Sequence, residues 1–234
     1  MSSRLLIHGA SGRMGQALLR LAGEFSQLEL AAAIAGRQAP QIQGVPGFNA
    51  AQLGELPPFD VCVDFSLPDA FDSILACCVE RGAAFVSGTT GLDAAQMARL
   101  NAAAEHIPVL WAPNFSLGVA VLADLVRRAA QMLPDWQRDI VESHHIHKLD
   151  APSGTALALG RAALEGGGPE PNYASLRAGD IVGEHLVQFT GTGERIELNH
   201  RATNRDIFAR GALHCAAVLA RRDAGRYAVI ELLR

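Results

Sequence analysis

Residues 141–160 read VESHHIHKLDAPSGTALALG and gather side chains that move protons and hold anions. His144, His145 and His147 are three of the eight histidines in the chain, and Lys148 is the only lysine among 20 Lys and Arg residues. An imidazole exchanges protons near neutral pH. An ammonium is a compact charge that can give up a proton, which a guanidinium effectively cannot. One lysine set into a histidine cluster, in a chain that otherwise relies on arginine, suggests acid/base chemistry beside a cation. The run D-A-P-S-G-T follows. Pro152 suits the approach to a helix and Ser153 suits its cap; the amides of Ser153, Gly154 and Thr155 then point outward as an anion site. The stretch reads as one unit: a proton donor, a fixed cation and a carboxylate cradle.

Blander readings compete with this one. His145 and His147 on one strand face, with Glu142 nearby, resemble a metal site, but metal ligands need no lysine and leave the Ser-Gly-Thr helix start unexplained, so no metal is expected. The histidines also suit a purely structural role, His147 most of all. His8, His106, His185, His200 and His214 lack comparable neighbours and read as surface or core residues, although His200 and Arg201 sit on a strand directed toward the site.

A second motif opens the chain. The strand Arg4–His8 runs into G-A-S-G-R-M-G, formed by Gly9, Ala10, Ser11, Gly12, Arg13, Met14 and Gly15. Gly9 suits a tight turn, Gly12 a close approach of pyrophosphate to the backbone, and Gly15 close packing of helix on strand. The spacing G-x-x-G-x-x-G is weak as a pattern, and a plain glycine-rich turn is its alternative. Its place between the first strand and the first helix points to a dinucleotide. The end of the second strand reads A-I-A-G-R-Q and has no carboxylate for a ribose 2′-hydroxyl. Arg37 stands there instead and suits a 2′-phosphate, so NADPH is expected in preference to NADH. Two further turns end strands, Gly88-Thr89-Thr90-Gly91 and Ala112-Pro113-Asn114-Phe115. Their hydroxyls, amides and glycine backbone suit a nicotinamide and its ribose.

Around these motifs the first half alternates strand and helix. Strands are expected at Arg4–His8, Leu28–Ile34, Asp60–Phe65, Ala84–Ser87 and Pro108–Ala112. Helices are expected at Arg13–Glu24, Ala70–Arg81 and Asp93–His106, with a loop from about Ala35 to Phe48. Such alternation predicts a parallel sheet. The second half changes: a helix near Gly118–Leu133, a strand Arg138–His144 and a helix Gly154–Leu164 that stops at Gly166–Gly168. Pro169 and Pro171 oppose helix beyond it. An antiparallel hairpin of Gly183–Thr190 and Glu194–Ala202 turns at TGTGE, and a last helix covers about Arg205–Arg221. The expected class is α/β: a Rossmann-like doubly wound parallel sheet plus a smaller α+β domain with a mixed or antiparallel sheet. Residues 1–114 and 205–234 form the dinucleotide-binding domain; residues 115–204 form the substrate-binding and oligomerisation domain.

A net charge of −4 and the absence of a Lys/Arg run exclude an electrostatic nucleic-acid surface. No apolar run reaches membrane-spanning length. The N-terminus enters a strand at once, leaving no room for a signal peptide. Cys62, Cys77, Cys78 and Cys215 have the spacing of neither a zinc site nor a redox pair, and reduced thiols point to a cytoplasmic protein.

At HHIHKLDAPSGTALALG the chain resembles the dihydrodipicolinate reductase family of bacterial lysine biosynthesis, whose signature is H-H-x-x-K-x-D-A-P-S-G-T-A. GASGRMG resembles the family's N-terminal loop, and GTTG, APNFSLGV, RAGDIVGEH (177–185) and NHRATNR (199–205) follow in type and order. The resemblance implies a nicotinamide-binding N-terminal domain, a C-terminal domain with a mixed sheet and a homotetramer assembled through those sheets. It implies reduction of (2S,4S)-4-hydroxytetrahydrodipicolinate to tetrahydrodipicolinate. By resemblance His144 is the proton donor and acceptor, and Lys148 the second proton donor and substrate cation. His145, Gly154 and Thr155 bind substrate; Gly9–Met14, Gly88–Thr90 and Ala112–Phe115 bind cofactor. The chain departs from the family in a shortened segment around Gln38–Leu56 and in lacking an acidic residue near Ala35. The other readings carried are a related amino-acid dehydrogenase, a non-catalytic dinucleotide sensor and, as the weakest, a metal hydrolase.

Overall fold

In the computed structural model, which describes residues 2–36 and 45–233, the chain runs β1 (Ser3–His8), α1 (Arg13–Leu21), β2 (Leu28–Ala35), β3 (Gly47–Asn49), β4 (Val61–Asp64), α2 (Pro68–Arg81), β5 (Ala84–Ser87), α3 (Ala94–Ala103) and β6 (Pro108–Trp111). It continues with α4 (Leu117–Met132), β7 (Gln137–His144), α5 (Gly154–Glu165), β8 (Asn172–Arg177), β9 (Gly183–Gly191), β10 (Glu194–Ala202), α6 (Asp206–Leu219) and β11 (Gly225–Tyr227). Contacts divide it into two units: Met1–Phe115 with Phe208–Arg234, and Ser116–Ile207.

The first unit is a parallel sheet in the order β11-β6-β5-β4-β1-β2-β3. Its central strands read as unbroken apolar runs because helices cover both faces. Leu5, Leu6 and Ile7, and Val61, Cys62 and Val63, are all fully buried. The order reverses between β4 and β1, and that switch point is where open α/β sheets bind ligands. Two details depart from expectation, and a third fills a segment that the sequence left unassigned. Helix α1 ends at Leu21 and tightens into a 3₁₀ turn at Ala22–Glu24. The segment expected as loop contains the short edge strand β3. The C-terminal tail supplies β11, which pairs with β6.

The second unit is a four-stranded sheet, β10-β9-β7-β8, with α4 and α5 on one face. Leu122, Val126 and Ala130 of α4 pack with Ala156, Leu159 and Ala163 of α5 onto Ile140, Val187 and Phe189. Each fully buried aliphatic or aromatic side chain there contributes about 1.5–3 kcal/mol, which keeps the sheet a rigid support. Arg138 is buried in this core, 1% exposed. Its guanidinium donates to Ala163 O at 3.0 Å and Ala130 O at 3.3 Å, carbonyls near the C-terminal ends of both helices. That is where a cation suits the helix dipole. A Cβ on Gly168 would lie 2.4 Å from Arg138 Nη2, so the glycine run after α5 makes room for this group.

Sequence reading missed β8. Five of its six residues are polar or small to moderate in size, four are exposed, and it follows Gly and Pro residues, so no alternation marks it. It pairs parallel with β7, setting Arg177 beside His144 and Ser175 beside Glu142.

Candidate active site

The first unit's site begins where β1 meets α1. Gly9 has φ +80°, and a Cβ on it would lie 2.3 Å from Phe65 O; one on Gly15 would lie 2.2 Å from Gly9 O. These approaches are open only to glycine. Gly12 caps α1 without any side-chain bond to the first turn, and Ser11, Gly12 and Arg13 are exposed. The backbone is therefore shaped to bring a phosphate onto the helix start, and these residues fit a dinucleotide. Met14 is half-buried beside the turn. Ala10 is fully buried, so it acts through its main chain, which Gln16 fixes by donating to Ala10 O at 2.7 Å.

The neighbouring turns behave less uniformly than their sequences suggest. Thr90 is exposed and Gly88 lies against the Phe65 ring. Thr89 is 2% exposed, donates its Oγ1 proton to Asp64 at 2.8 Å, and accepts from Trp111 Nε1 through its carbonyl. Ala112 and Phe115 are buried, Phe115 stacking edge-on against Phe65 at 5.5 Å, while Pro113 is exposed and Asn114 half-buried. Arg37 lies outside the described residues. A buried network missed in the sequence ties these turns together. Asp64 accepts from His8 Nδ1 and Ser87 Oγ, each at 2.8 Å, and from Thr89, across β1, β4 and β5. Burial raises the Asp64 carboxyl, but the His8 hydrogen bond and charge lead the opposing effects and hold it below its ordinary value.

The second unit's site grows from strand alternation. Arg138, Ile140, Glu142 and His144 all point from β7 to the helix-covered face. Glu142 is fully buried. Arg177 grips its carboxylate with two bonds, at 2.7 and 2.9 Å, the Ser153 amide donates at 3.2 Å, and His144 Nδ1 meets it directly. Burial alone would raise Glu142, but the Arg177 hydrogen bonds, followed by those of Ser175 and His144, bring it down to about 2. A carboxylate held ionised only accepts, so His144 donates from Nδ1 and its Nε2 is left for other partners. Nε2 lies over Gly183, where a Cβ would sit 3.0 Å away. Burial lowers the His144 pKa, and Glu142 opposes that effect without overcoming it.

Arg177 also organises the loop beyond β7, donating to Lys148 O at 3.3 Å and Asp150 O at 2.6 Å. Lys148 Nζ pairs with Asp150 at 2.8 Å. His145 is half-buried; its Nε2 lies 3.1 Å from Arg205, and its Nδ1 is buried with no partner among the described residues. His147 is exposed. Ser153 caps α5 as expected, accepting from Ala156 N, and its side chain and amide already have partners within the protein. It is 1% exposed, its hydroxyl meets His185 Nε2 at 3.1 Å and its amide goes to Glu142. Gly154 is exposed and Thr155 half-buried at the helix start. Among the described residues no group of three His, Cys, Asp or Glu is arranged for a metal ion; Glu142 is committed to Arg177 and His144.

Three participants carried other readings in the sequence. Glu142 appeared only as a metal-ligand candidate. Arg177 was visible only within RAGDIVGEH. His185 was read as a bland histidine, yet it stacks edge-on against His144 at 5.1 Å, and burial pushes its pKa down to about 4.

Comparison with known proteins bears on the same residues. Residues 3–115 match the family described as dihydrodipicolinate reductase, N-terminus, and residues 118–233 match its C-terminus. The 4-hydroxy-tetrahydrodipicolinate reductase of Stenotrophomonas maltophilia (strain K279a) is 66% identical over 234 residues, covering 99% of this chain and 98% of the relative. That of Xylella fastidiosa (strain 9a5c) is 60% identical over 233 residues, covering 98% of each. Among solved structures, the dipicolinate-bound dihydrodipicolinate reductase of Paenisporosarcina sp. TG-14 has a TM-score of 0.86 at 24% identity, covering 97% of this chain and 98% of that one. The C. glutamicum DAP dehydrogenase in complex with DAP has a TM-score of 0.63 at 14% identity, covering 100% and 96%. These two likenesses concern the fold.

Proposed function

The chain belongs to the dihydrodipicolinate reductase family, and from that premise we propose how its own residues carry out the reduction. It is an NAD(P)H-dependent oxidoreductase of lysine biosynthesis that converts 4-hydroxy-tetrahydrodipicolinate to tetrahydrodipicolinate. The observation that carries the assignment of roles is the His144 imidazole: Nδ1 is tied to an ionised, buried Glu142, and Nε2 is turned away from that carboxylate toward Gly183, whose missing side chain leaves the imidazole room.

The reaction removes the 4-hydroxyl as water and adds one hydride and one proton to the ring. A bound nicotinamide dinucleotide would supply the hydride; the Gly9–Gly15 turn would hold its pyrophosphate, and Gly88, Thr90, Pro113 and Asn114 its nicotinamide and ribose. Thr89, Ala112 and Phe115 shape that surface from beneath. In the second unit, Lys148, His145, Arg205 and the Gly154–Thr155 helix start hold the substrate's two carboxylates. His145 Nδ1 gains the partner a buried polar atom calls for. A bound dianion favours protonation of His144, and the proton then sits on Nε2, aimed at the ring. Negative charge develops there as hydride arrives, so an acid and an ammonium beside it stabilise the transition state. Ser153, His185 and Arg177 position these groups.

The test is loss of the reduced cofactor's near-ultraviolet absorbance on adding substrate, run with NADPH and with NADH. We expect turnover with both and a preference for NADPH set by Arg37. Arg37→Ala should lower the NADPH-to-NADH ratio of kcat/KM; an unchanged ratio removes Arg37 from cofactor choice. No consumption with either cofactor removes the roles assigned here.

The sheet also supports a homotetramer. On the face away from α4 and α5, Val141 lies opposite Leu186 at the centre, and Leu176 is 56% exposed. Polar Glu184, Gln188, Arg195 and Glu197 flank them along the strands. An apolar centre inside a polar border suits a self-complementary interface. Light scattering should give the mass of four chains, and a monomer contradicts assembly through this face. No described helix is long and apolar enough to cross a membrane. The four cysteines are free and buried, in keeping with the reducing cytoplasm.

A further inference from the structure

We infer that Asp150 is an internal stand-in for one substrate carboxylate, holding the Lys148 ammonium and the first amide of α5 until a carboxylate ligand displaces it. The inference rests on the reading above, in which those two groups receive the substrate.

The main chain of the loop is pinned: Arg177 holds Lys148 O and Asp150 O, and Lys148 N donates to His145 O at 3.1 Å. Arg177 holds the Asp150 carbonyl, so the loop's main chain does not depend on the Asp150 carboxylate. Its carboxylate pairs with Lys148 Nζ at 2.8 Å. The Lys148 hydrogen bond leads the effects that hold the Asp150 carboxyl below its usual range; its own backbone N–H follows, and the Gly154 backbone N–H at the start of α5 adds the smallest part. These donors are a lysine and a helix N-terminus, the pair that suits a ligand carboxylate. A residue that only aimed Lys148 would need the ammonium and not the helix amide. The Asp150 side chain is 57% exposed. A pair so open to water is weakly held, so an incoming carboxylate can take both donors while Asp150 turns to solvent. The exchange is carboxylate for carboxylate and leaves the number of charges on the site unchanged. It sets a requirement on the ligand: a neutral ring cannot replace Asp150.

The experiment is calorimetric titration with pyridine-2,6-dicarboxylate of the full chain, Asp150→Asn, Lys148→Met and the double variant. Removing the competing charge should tighten binding about three- to tenfold. That gain should vanish in the Lys148→Met background, because no ammonium is left to release. Tighter binding also separates displacement from support, since losing a supporting residue weakens a site. Weaker or unchanged binding in Asp150→Asn, beside a clear loss in Lys148→Met, overturns the stand-in and leaves the substrate site intact. Binding that Lys148→Met does not alter overturns the site reading and the stand-in together. A gain that persists in the double variant overturns the role of Lys148 in the exchange.

Discussion

Replacing His144 with glutamine should lower kcat by about 10²–10⁴, the range for losing a positioned general acid, while KM stays near its wild-type value. The split follows from geometry. In the proposed reading His144 presents Nε2 to the reacting ring, whereas the carboxylates are assigned to Lys148, His145, Arg205 and the start of α5. An interaction made chiefly in the transition state lowers kcat without loosening the ground state. The variant should also fold. Glu142 keeps both Arg177 bonds and the Ser153 amide when the imidazole is gone, so no buried charge is orphaned. Steady-state kinetics with saturating NADPH check this. A large rise in KM with kcat preserved would move His144 from proton donor to substrate anchor.

Lys148→Arg should lose most of the turnover and keep most of the affinity for a dicarboxylate. Arginine preserves the charge, but its guanidinium effectively cannot release a proton and is broader than an ammonium. The side chain has little latitude, because Lys148 is about one-fifth exposed and its carbonyl is fixed by Arg177. We expect kcat to fall by at least about 10² and dicarboxylate binding to change far less than in Lys148→Met. Near-normal turnover in Lys148→Arg would mean that charge alone suffices at this position, and the proton-donor role of Lys148 would be lost.

Sequence alone made the local parts of this molecule legible. The α/β class followed from alternating strands and helices, and the Gly9–Gly15 turn from its place between the first strand and the first helix. His144, Lys148 and the start of α5 are contiguous in the chain, so one loop displayed their chemistry together. What stayed hidden depends on register. Glu142 and Arg177 meet because β8 pairs with β7, and β8 is an exposed edge strand without alternation. His185 reaches His144 because β9 sets it opposite Glu142. His8 and Asp64 are neighbours across β1 and β4. Ser153 and Thr89 show a different limit. Their residue types suit ligand contact, but sequence does not show that both hydroxyls are buried and already bonded within the protein.

The central claim is that Glu142 holds His144 as the acid that protonates the ring. The most direct measurement is the pH dependence of kcat in the wild type and in Glu142→Gln, with circular dichroism confirming that both are folded. A protonated His144 is lost as pH rises through its pKa, so kcat should fall on the alkaline side. The Glu142 carboxylate favours the imidazolium against the lowering effect of burial; with glutamine there, the fall should begin at lower pH and the maximal kcat should drop. Alkaline limbs that superimpose in the two proteins would contradict the account.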